Sequence, residues 1–94
     1  MITLDARPRL ASKARLRFDK KADRYMLLYP EKGLLLNSTG AKIVKLCTGE
    51  HTVSSIVEQM SMEHQGGDPA TILTEVTSFL TRLEEAGLLS AEPG

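Results

Sequence analysis

The sequence predicts an α+β domain in which a three-stranded antiparallel sheet is followed by three helices, in the order β-β-β-α-α-α. In the first third of the chain, apolar and polar residues alternate with the period of two that is typical of half-buried strands. In the second half, apolar residues recur at intervals of three and four, which is typical of amphipathic helices. At 94 residues, the chain is long enough for one domain with its own core.

Three strands are predicted near the start of the chain. Arg15–Asp19 alternates strictly, Arg24–Tyr29 is rich in large apolar residues, and Gly33–Asn37 contains three consecutive leucines. The segments between these strands are polar or contain Pro and Gly, which favour turns. Pro8 interrupts the polar segment 1–14, which we therefore expect to form an extended N-terminal arm.

Two helices are predicted after the strands. Asn37 or Ser38 is a suitable N-cap for a helix that runs to about Cys47 and that Gly49 ends. Thr52 is a suitable N-cap for the second helix. Its apolar residues fall on one face and are Val53, Ile56, Val57 and Met60.

The third predicted helix is the longest. Asp68 as N-cap and Pro69 at the first helical position open it, and Gly87 stands where a helix commonly ends. Its apolar stripe consists of Ile72, Val76, Phe79, Leu80 and Leu83, with Leu73 on the flank. The predicted domain therefore covers residues 15–89, and residues 90–94 are expected to form a C-terminal tail.

Charge is distributed unevenly along the chain. Eleven of its twelve Lys and Arg residues lie within residues 1–47 together with four acids, whereas residues 48–94 hold one cation, Arg82, and eight acids. The formal net charge is therefore +7 in the first part and −7 in the second. Such polarity favours oriented docking with charged partners.

The sequence offers few groups for catalysis or metal binding. His51 and His64 are 13 residues apart and lack a nearby Cys or carboxylate cluster at metal-ligand spacing. Cys47 lies in an apolar helix and is expected to be a small buried side chain. A single cysteine excludes an internal disulfide, and no segment approaches the ~20 apolar residues of a membrane span. We therefore expect a cytoplasmic protein without catalytic residues, metal or membrane contact.

DNA binding is an alternative, because three helices with a small sheet match the outline of a winged-helix domain. A recognition helix needs cations for phosphates and polar side chains for base edges. Across Val53–Ala86, however, Arg82 is the sole cation beside six acids. These helices would repel phosphate, so nucleic acid is not the expected partner.

The third predicted strand is left at an edge of the sheet. If each strand pairs with its sequence neighbour, the first and third strands lie at the two edges. The first carries Arg15 and Arg17, which protect an edge against unwanted pairing. Leu34-Leu35-Leu36 contains neither charge nor proline. Its unpaired backbone groups favour the addition of an extended peptide as a fourth strand, and homodimerisation through the same edge is the alternative.

An ordered set of short runs between about residues 7 and 89 resembles the PqqD family of pyrroloquinoline quinone (PQQ) biosynthesis proteins. The runs are Arg7-Pro-Arg-Leu-Ala11, Arg15-Leu-Arg-Phe-Asp19, Leu27-Leu-Tyr-Pro-Glu31, Leu34-Leu-Leu-Asn37, Leu46-Cys-Thr-Gly-Glu50, Thr52-Val53, Ile56-Val57 and Leu83-Glu-Glu-Ala-Gly-Leu-Leu89. No single motif is decisive, and Thr48 stands where the family pattern has Asp.

The resemblance implies a winged-helix-like peptide chaperone that has no catalytic residue and no cofactor. Such proteins bind the precursor peptide PqqA and present it to the radical S-adenosylmethionine (SAM) enzyme PqqE. In related recognition elements, the leader peptide docks antiparallel to the third strand and beside the third helix. Carried onto this chain, the expected peptide-binding residues are Gly33, Leu34, Leu35, Leu36, Asn37, Val76, Phe79, Leu80 and Leu83. A winged-helix DNA-binding protein and a homo-oligomeric interaction module remain the alternatives, and both a monomer and a homodimer are compatible with the sequence.

Overall fold

The computed structural model describes residues 2–30, 32–63 and 67–92. It contains five strands and three helices in these ranges. The elements are β1 (Arg7–Leu10), β2 (Arg15–Asp19), β3 (Arg24–Tyr29), β4 (Lys32–Leu35), α1 (Ser38–Lys45), α2 (Val53–Glu63), α3 (Pro69–Glu85) and β5 (Leu89–Glu92). The predicted α+β class, with its three-stranded antiparallel sheet and three helices, is confirmed.

The three-stranded sheet has the order β2-β3-β4, so β2 and β4 are its edges. All pairs are antiparallel, and Leu16, Leu27 and Leu34 are aligned across the three strands. The bounds of β2 and β3 are those predicted for the first two strands. Strand β4, the predicted third strand, begins one residue earlier than predicted, at Lys32, and ends at Leu35. Leu36 still donates its N–H to the Tyr25 carbonyl at 2.9 Å.

The sequence predicts Asn37 both as the last residue of the third strand and, with Ser38, as a candidate N-cap; the structure places it outside β4 as the N-cap of α1. Its side-chain Oδ1 accepts a hydrogen bond from the Gly40 N–H at 2.7 Å. An N-cap acceptor satisfies one of the N–H groups that have no partner in the first helical turn. The strand therefore stops before Asn37 because that side chain stabilises the start of the helix.

A second, two-stranded sheet joins the two ends of the chain and was not predicted. In it, β1 pairs antiparallel with β5, with Pro8 opposite Ala91. The loop after α1 lies against β1, where the Gly49 N–H donates to the Pro8 carbonyl at 2.9 Å. The predicted arm and tail thus each contribute a strand to this sheet. Local sequence patterns do not reveal such a pair, because its strands are short and about eighty residues apart.

The remaining helices begin at the residues that the sequence indicated, and α3 ends just before Gly87. The Thr52 hydroxyl accepts from the Ser55 N–H at 3.1 Å before α2. The Asp68 carboxylate accepts from the Ala70 N–H at 3.2 Å before α3. At the end of α3, Gly87 has a φ of +76°, a left-handed conformation that favours glycine.

The core lies between the helices and the inner face of the sheet. In α2 and α3 the buried residues fall on the predicted apolar stripes, while Val57 and Phe79 are only half-buried. The largest fully buried apolar side chains are Leu27, Ile43, Val44, Val53, Ile56, Met60, Val76, Leu80 and Leu88. In the described part of the chain, no helix is both long and apolar enough to cross a membrane.

Candidate functional site

A groove lies between the edge strand β4 and helix α3. Its volume is about 400 Å³. Strand β4, the start of α1 and the last turns of α3 supply most of its lining. The lining residues are Arg24, Tyr29, Leu34, Leu35, Leu36, Asn37, Phe79, Arg82, Leu83, Ala86 and Leu88.

A second cavity continues this groove along α3 towards the first turn of α1. Its volume is about 460 Å³, and it shares Asn37, Phe79 and Arg82 with the groove. A Cβ at Gly40 would lie 3.2 Å from the Asn37 Oδ1 atom and 3.4 Å from the Phe79 ring, so glycine leaves room chiefly for the side chain that caps α1. The walls of the two cavities together are partly apolar and partly polar.

Among the described strands, β4 pairs with β3 alone, so one side of its backbone has no strand partner there. The Leu36 N–H points towards β3, where it donates to Tyr25. Because hydrogen-bonded and non-hydrogen-bonded residues alternate in an antiparallel pair, Leu34 also faces β3, whereas Gly33 and Leu35 direct their N–H and C=O groups outward. Two residues of β4 thus present backbone hydrogen-bonding groups to an incoming strand.

The structure brings six of the nine predicted site residues to the groove. Leu34 and Leu35 are 40% and 44% exposed, which is unusual for adjacent leucines on a strand. Leu36 is buried at its base. The other three that line the groove are Asn37, Phe79 and Leu83.

The other three predicted residues do not line the groove. Val76 and Leu80 are 1% and 0% exposed and belong to the core, because they occupy the centre of the apolar face of α3. Gly33 lies on β4 with its backbone directed outward. A Cβ at Gly33 would meet the side chains of Met26 and Leu28 at 3.1 and 3.2 Å, so β3 packs closely against this position.

Five lining residues were missed by the sequence analysis: Arg24, Tyr29, Arg82, Ala86 and Leu88. The sequence did contain a feature that distinguishes Arg82, because it is the sole Lys or Arg after Lys45. No sequence feature distinguishes Arg24, because its place in the groove depends on a hydrogen bond from its Nε to the Leu36 carbonyl, at 3.1 Å.

Cys47 is buried and unsuited to nucleophilic chemistry. Its thiol lies 3.2 Å from the Ile43 carbonyl, to which it donates a hydrogen bond. Burial raises the pKa of the Cys47 thiol from 9.0 to about 12, since desolvation disfavours the thiolate. The thiol therefore stays protonated at neutral pH.

Among the residues that the structure describes, no group of three or more His, Cys, Asp or Glu side chains is placed to hold a metal ion. His51 is half-buried in the turn before α2, and His64 lies outside the described residues. The absence of a metal remains a prediction.

The fold and this groove define a class: a small α+β domain with one open, apolar sheet edge beside a helix. The family model of "Coenzyme PQQ synthesis protein D (PqqD)" matches residues 24–89. This chain therefore belongs to the PqqD family.

The relatives agree with this assignment. The chain is 35% identical to the PqqA binding protein of Rhodopseudomonas palustris (strain BisB5) over 90% of its own length and 82% of that protein. It is similar to the solution structure of the PqqD truncation of Methylobacterium extorquens PqqCD, described as a stand-alone recognition element for ribosomally synthesised and post-translationally modified peptides. The identity is 31% and the TM-score 0.79, over 96% of this chain and 95% of that one.

A structure with lower sequence identity is similar to this chain in fold only. TbiB1, solved in complex with the TbiA(beta) leader peptide, is 20% identical with a TM-score of 0.74, over 87% of this chain and 94% of that one.

Proposed function

We propose that this chain is a precursor-peptide recognition element of PQQ biosynthesis, which binds PqqA as an additional strand on β4. The observation that carries the proposal is the outward-facing backbone of Gly33 and Leu35 at the edge of the groove. In β-strand addition, main-chain hydrogen bonds supply affinity and pockets for alternate side chains supply specificity. The edge of β4 offers the former and the groove offers the latter.

The relatives support PqqA as the peptide. The Rhodopseudomonas palustris protein is named a PqqA binding protein, and the Methylobacterium extorquens domain is described as a functional recognition element. They match 90% and 96% of this chain, and the family model matches residues 24–89, which include the groove.

The apolar side chains at the edge also support this proposal. Leu34 and Leu35 are both substantially exposed, and burying the remaining apolar surface of such residues gains about 25 cal/mol per Å². A strand laid along β4 would cover them. An open apolar edge without an occupant is a hazard, because it invites pairing with any other chain.

We further propose that the bound peptide is presented to the radical SAM enzyme PqqE. This step rests on membership of the PqqD family. In this role the chain contributes binding and orientation, while the chemistry belongs to the enzyme. Cys47, the single cysteine of the chain, is buried and protonated in the fold.

Amide hydrogen exchange tests the binding mode directly. In the free protein, the Leu34 and Leu36 amides should be protected by β3, while those of Gly33 and Leu35 exchange faster. Saturating PqqA should slow exchange at Gly33 and Leu35 by about tenfold or more, because their N–H groups gain partners. Unchanged exchange at both amides in a peptide-bound sample would refute strand addition on β4.

A parallel titration with duplex DNA separates the nucleic-acid alternative. In about 150 mM salt, non-specific DNA contacts are usually weaker than micromolar. Because α2 and α3 are acidic, we expect PqqA to bind and the duplex to bind only weakly. If the protein binds the duplex tightly and does not bind PqqA, the result favours a winged-helix DNA-binding protein.

A further inference from the structure

On the basis of the proposed peptide binding, we propose that the groove selects peptides carrying an acidic side chain, whose carboxylate is bound by Arg24 and Arg82. Among the described residues that line the groove, these two arginines are the charged ones, and no Asp or Glu accompanies them. The remaining lining is apolar apart from Tyr29 and Asn37. A carboxylate between apolar side chains is the peptide chemistry that this lining complements.

Arg24 is held in position from the sheet side. It begins β3, and its Nε donates to the Leu36 carbonyl at 3.1 Å, at the point where β4 ends. This hydrogen bond uses one of the five N–H donors of the guanidinium. The four N–H groups on its two Nη atoms stay available for a ligand, and a planar guanidinium is well suited to a carboxylate.

Arg82 approaches the groove from the helix side. It lines both the groove and the second cavity, beside Phe79. It is also the single cation of residues 48–94, where it accompanies eight acids. Within the described ranges, neither Arg24 nor Arg82 forms an ion pair with a carboxylate. Among the described residues, Arg82 thus lies at the groove without an ion pair, and the acid nearest in the lining is Glu75, which borders the second cavity and not the groove itself.

A purely structural role for Arg82 predicts a different outcome from ligand binding. A long arginine stem often covers apolar surface while its charge stays in water. Replacement by methionine keeps an apolar stem and removes the charge, whereas replacement by lysine keeps the charge. If Arg82 acts only by covering apolar surface, Arg82→Met should bind peptide like the parent and with the same dependence on ionic strength.

The probe is fluorescein-labelled synthetic PqqA, titrated by anisotropy at 50 and 300 mM NaCl. At the lower salt concentration, Arg82→Met and Arg24→Met should each weaken binding about three- to tenfold, and the dependence on salt should flatten. Arg82→Lys should retain most of the affinity. Arg15→Met is the matched control, because Arg15 is exposed on β2, at the opposite edge of the sheet; its affinity should match the parent.

A peptide scan then identifies the acidic partner. Each Asp and Glu of PqqA is replaced in turn by Asn or Gln, and one replacement should weaken binding to the parent but not to Arg82→Met. If Arg82→Met folds and matches the parent at both salt concentrations, with all the altered peptides binding equally, the inference is wrong although PqqA still binds. If the parent itself does not bind PqqA, the proposed function fails instead. Arg82→Gln repeats the test should the methionine variant fold poorly by circular dichroism.

Discussion

Replacing Leu35 by proline should abolish most of the peptide affinity while leaving the fold intact. When an antiparallel strand is added to an edge, a residue whose backbone faces outward forms two hydrogen bonds with the residue opposite, one through its N–H and one through its C=O. Leu35 is such a residue and lines the groove. Proline removes the N–H, and its ring obstructs the partner that would bind the C=O. Losing two net hydrogen bonds of about 0.5–1.5 kcal/mol each weakens binding by about 1–3 kcal/mol, or about 5- to 150-fold.

The fold should tolerate this change because Leu35 is on an edge strand and its N–H does not bond to β3. Leu35→Ala is the matched control, since it shortens the side chain but keeps the N–H. Leu34→Pro is the opposite control: it removes a bond to β3 and should lower the melting temperature. Anisotropy titration with labelled PqqA measures affinity, and circular dichroism verifies folding. A folded Leu35→Pro variant that binds PqqA within twofold of Leu35→Ala would refute strand addition at this edge.

Three further predictions concern the core, the thiol and a helix cap. Leu80→Ala should lower the free energy of unfolding by about 2–5 kcal/mol in urea titrations, since Leu80 is fully buried; Phe79→Ala, at the half-buried groove wall, should weaken PqqA binding instead. Burial raises the pKa of Cys47 from 9.0 to about 12, so its contribution to stability is complete below about pH 9 and declines as pH rises towards 12. The difference in stability between the parent and Cys47→Ala should follow that decline, and a difference independent of pH would contradict it. Asn37→Ala should cost about 1 kcal/mol in thermal unfolding because α1 loses its cap, whereas Ser38→Ala should cost less than half as much.

Local chemistry accounts for the elements that could be predicted. The alternation in Arg15–Asp19 specifies a strand, and the polar side chains of Thr52 and Asp68 specify where α2 and α3 begin. These signals act over a few residues, so they are readable in one sequence. Asn37 shows their limit, because the same residue suits both a strand end and an N-cap. Its hydrogen bond to Gly40 decides between the two.

The groove was predictable in outline for the same reason. Leu34 and Leu35 form an uncharged edge, and the edge position follows from strand order. The sequence could not separate Phe79 from Val76 and Leu80, since all three belong to one apolar stripe. Only the packing of α3 against the core places Val76 and Leu80 inside and leaves Phe79 at the wall.

The sequence by itself determined the order of the three strands β2, β3 and β4 and of the three helices, the caps of α2 and α3, and the uncharged character of β4, because each depends on neighbours within one turn or one strand. The tertiary structure decided the rest. It joined β1 to β5 across the length of the chain, and it brought Arg24 and Arg82 to one groove from opposite halves of the charge distribution. Contacts between distant segments depend on the path of the whole backbone, and no local pattern of residues records that path.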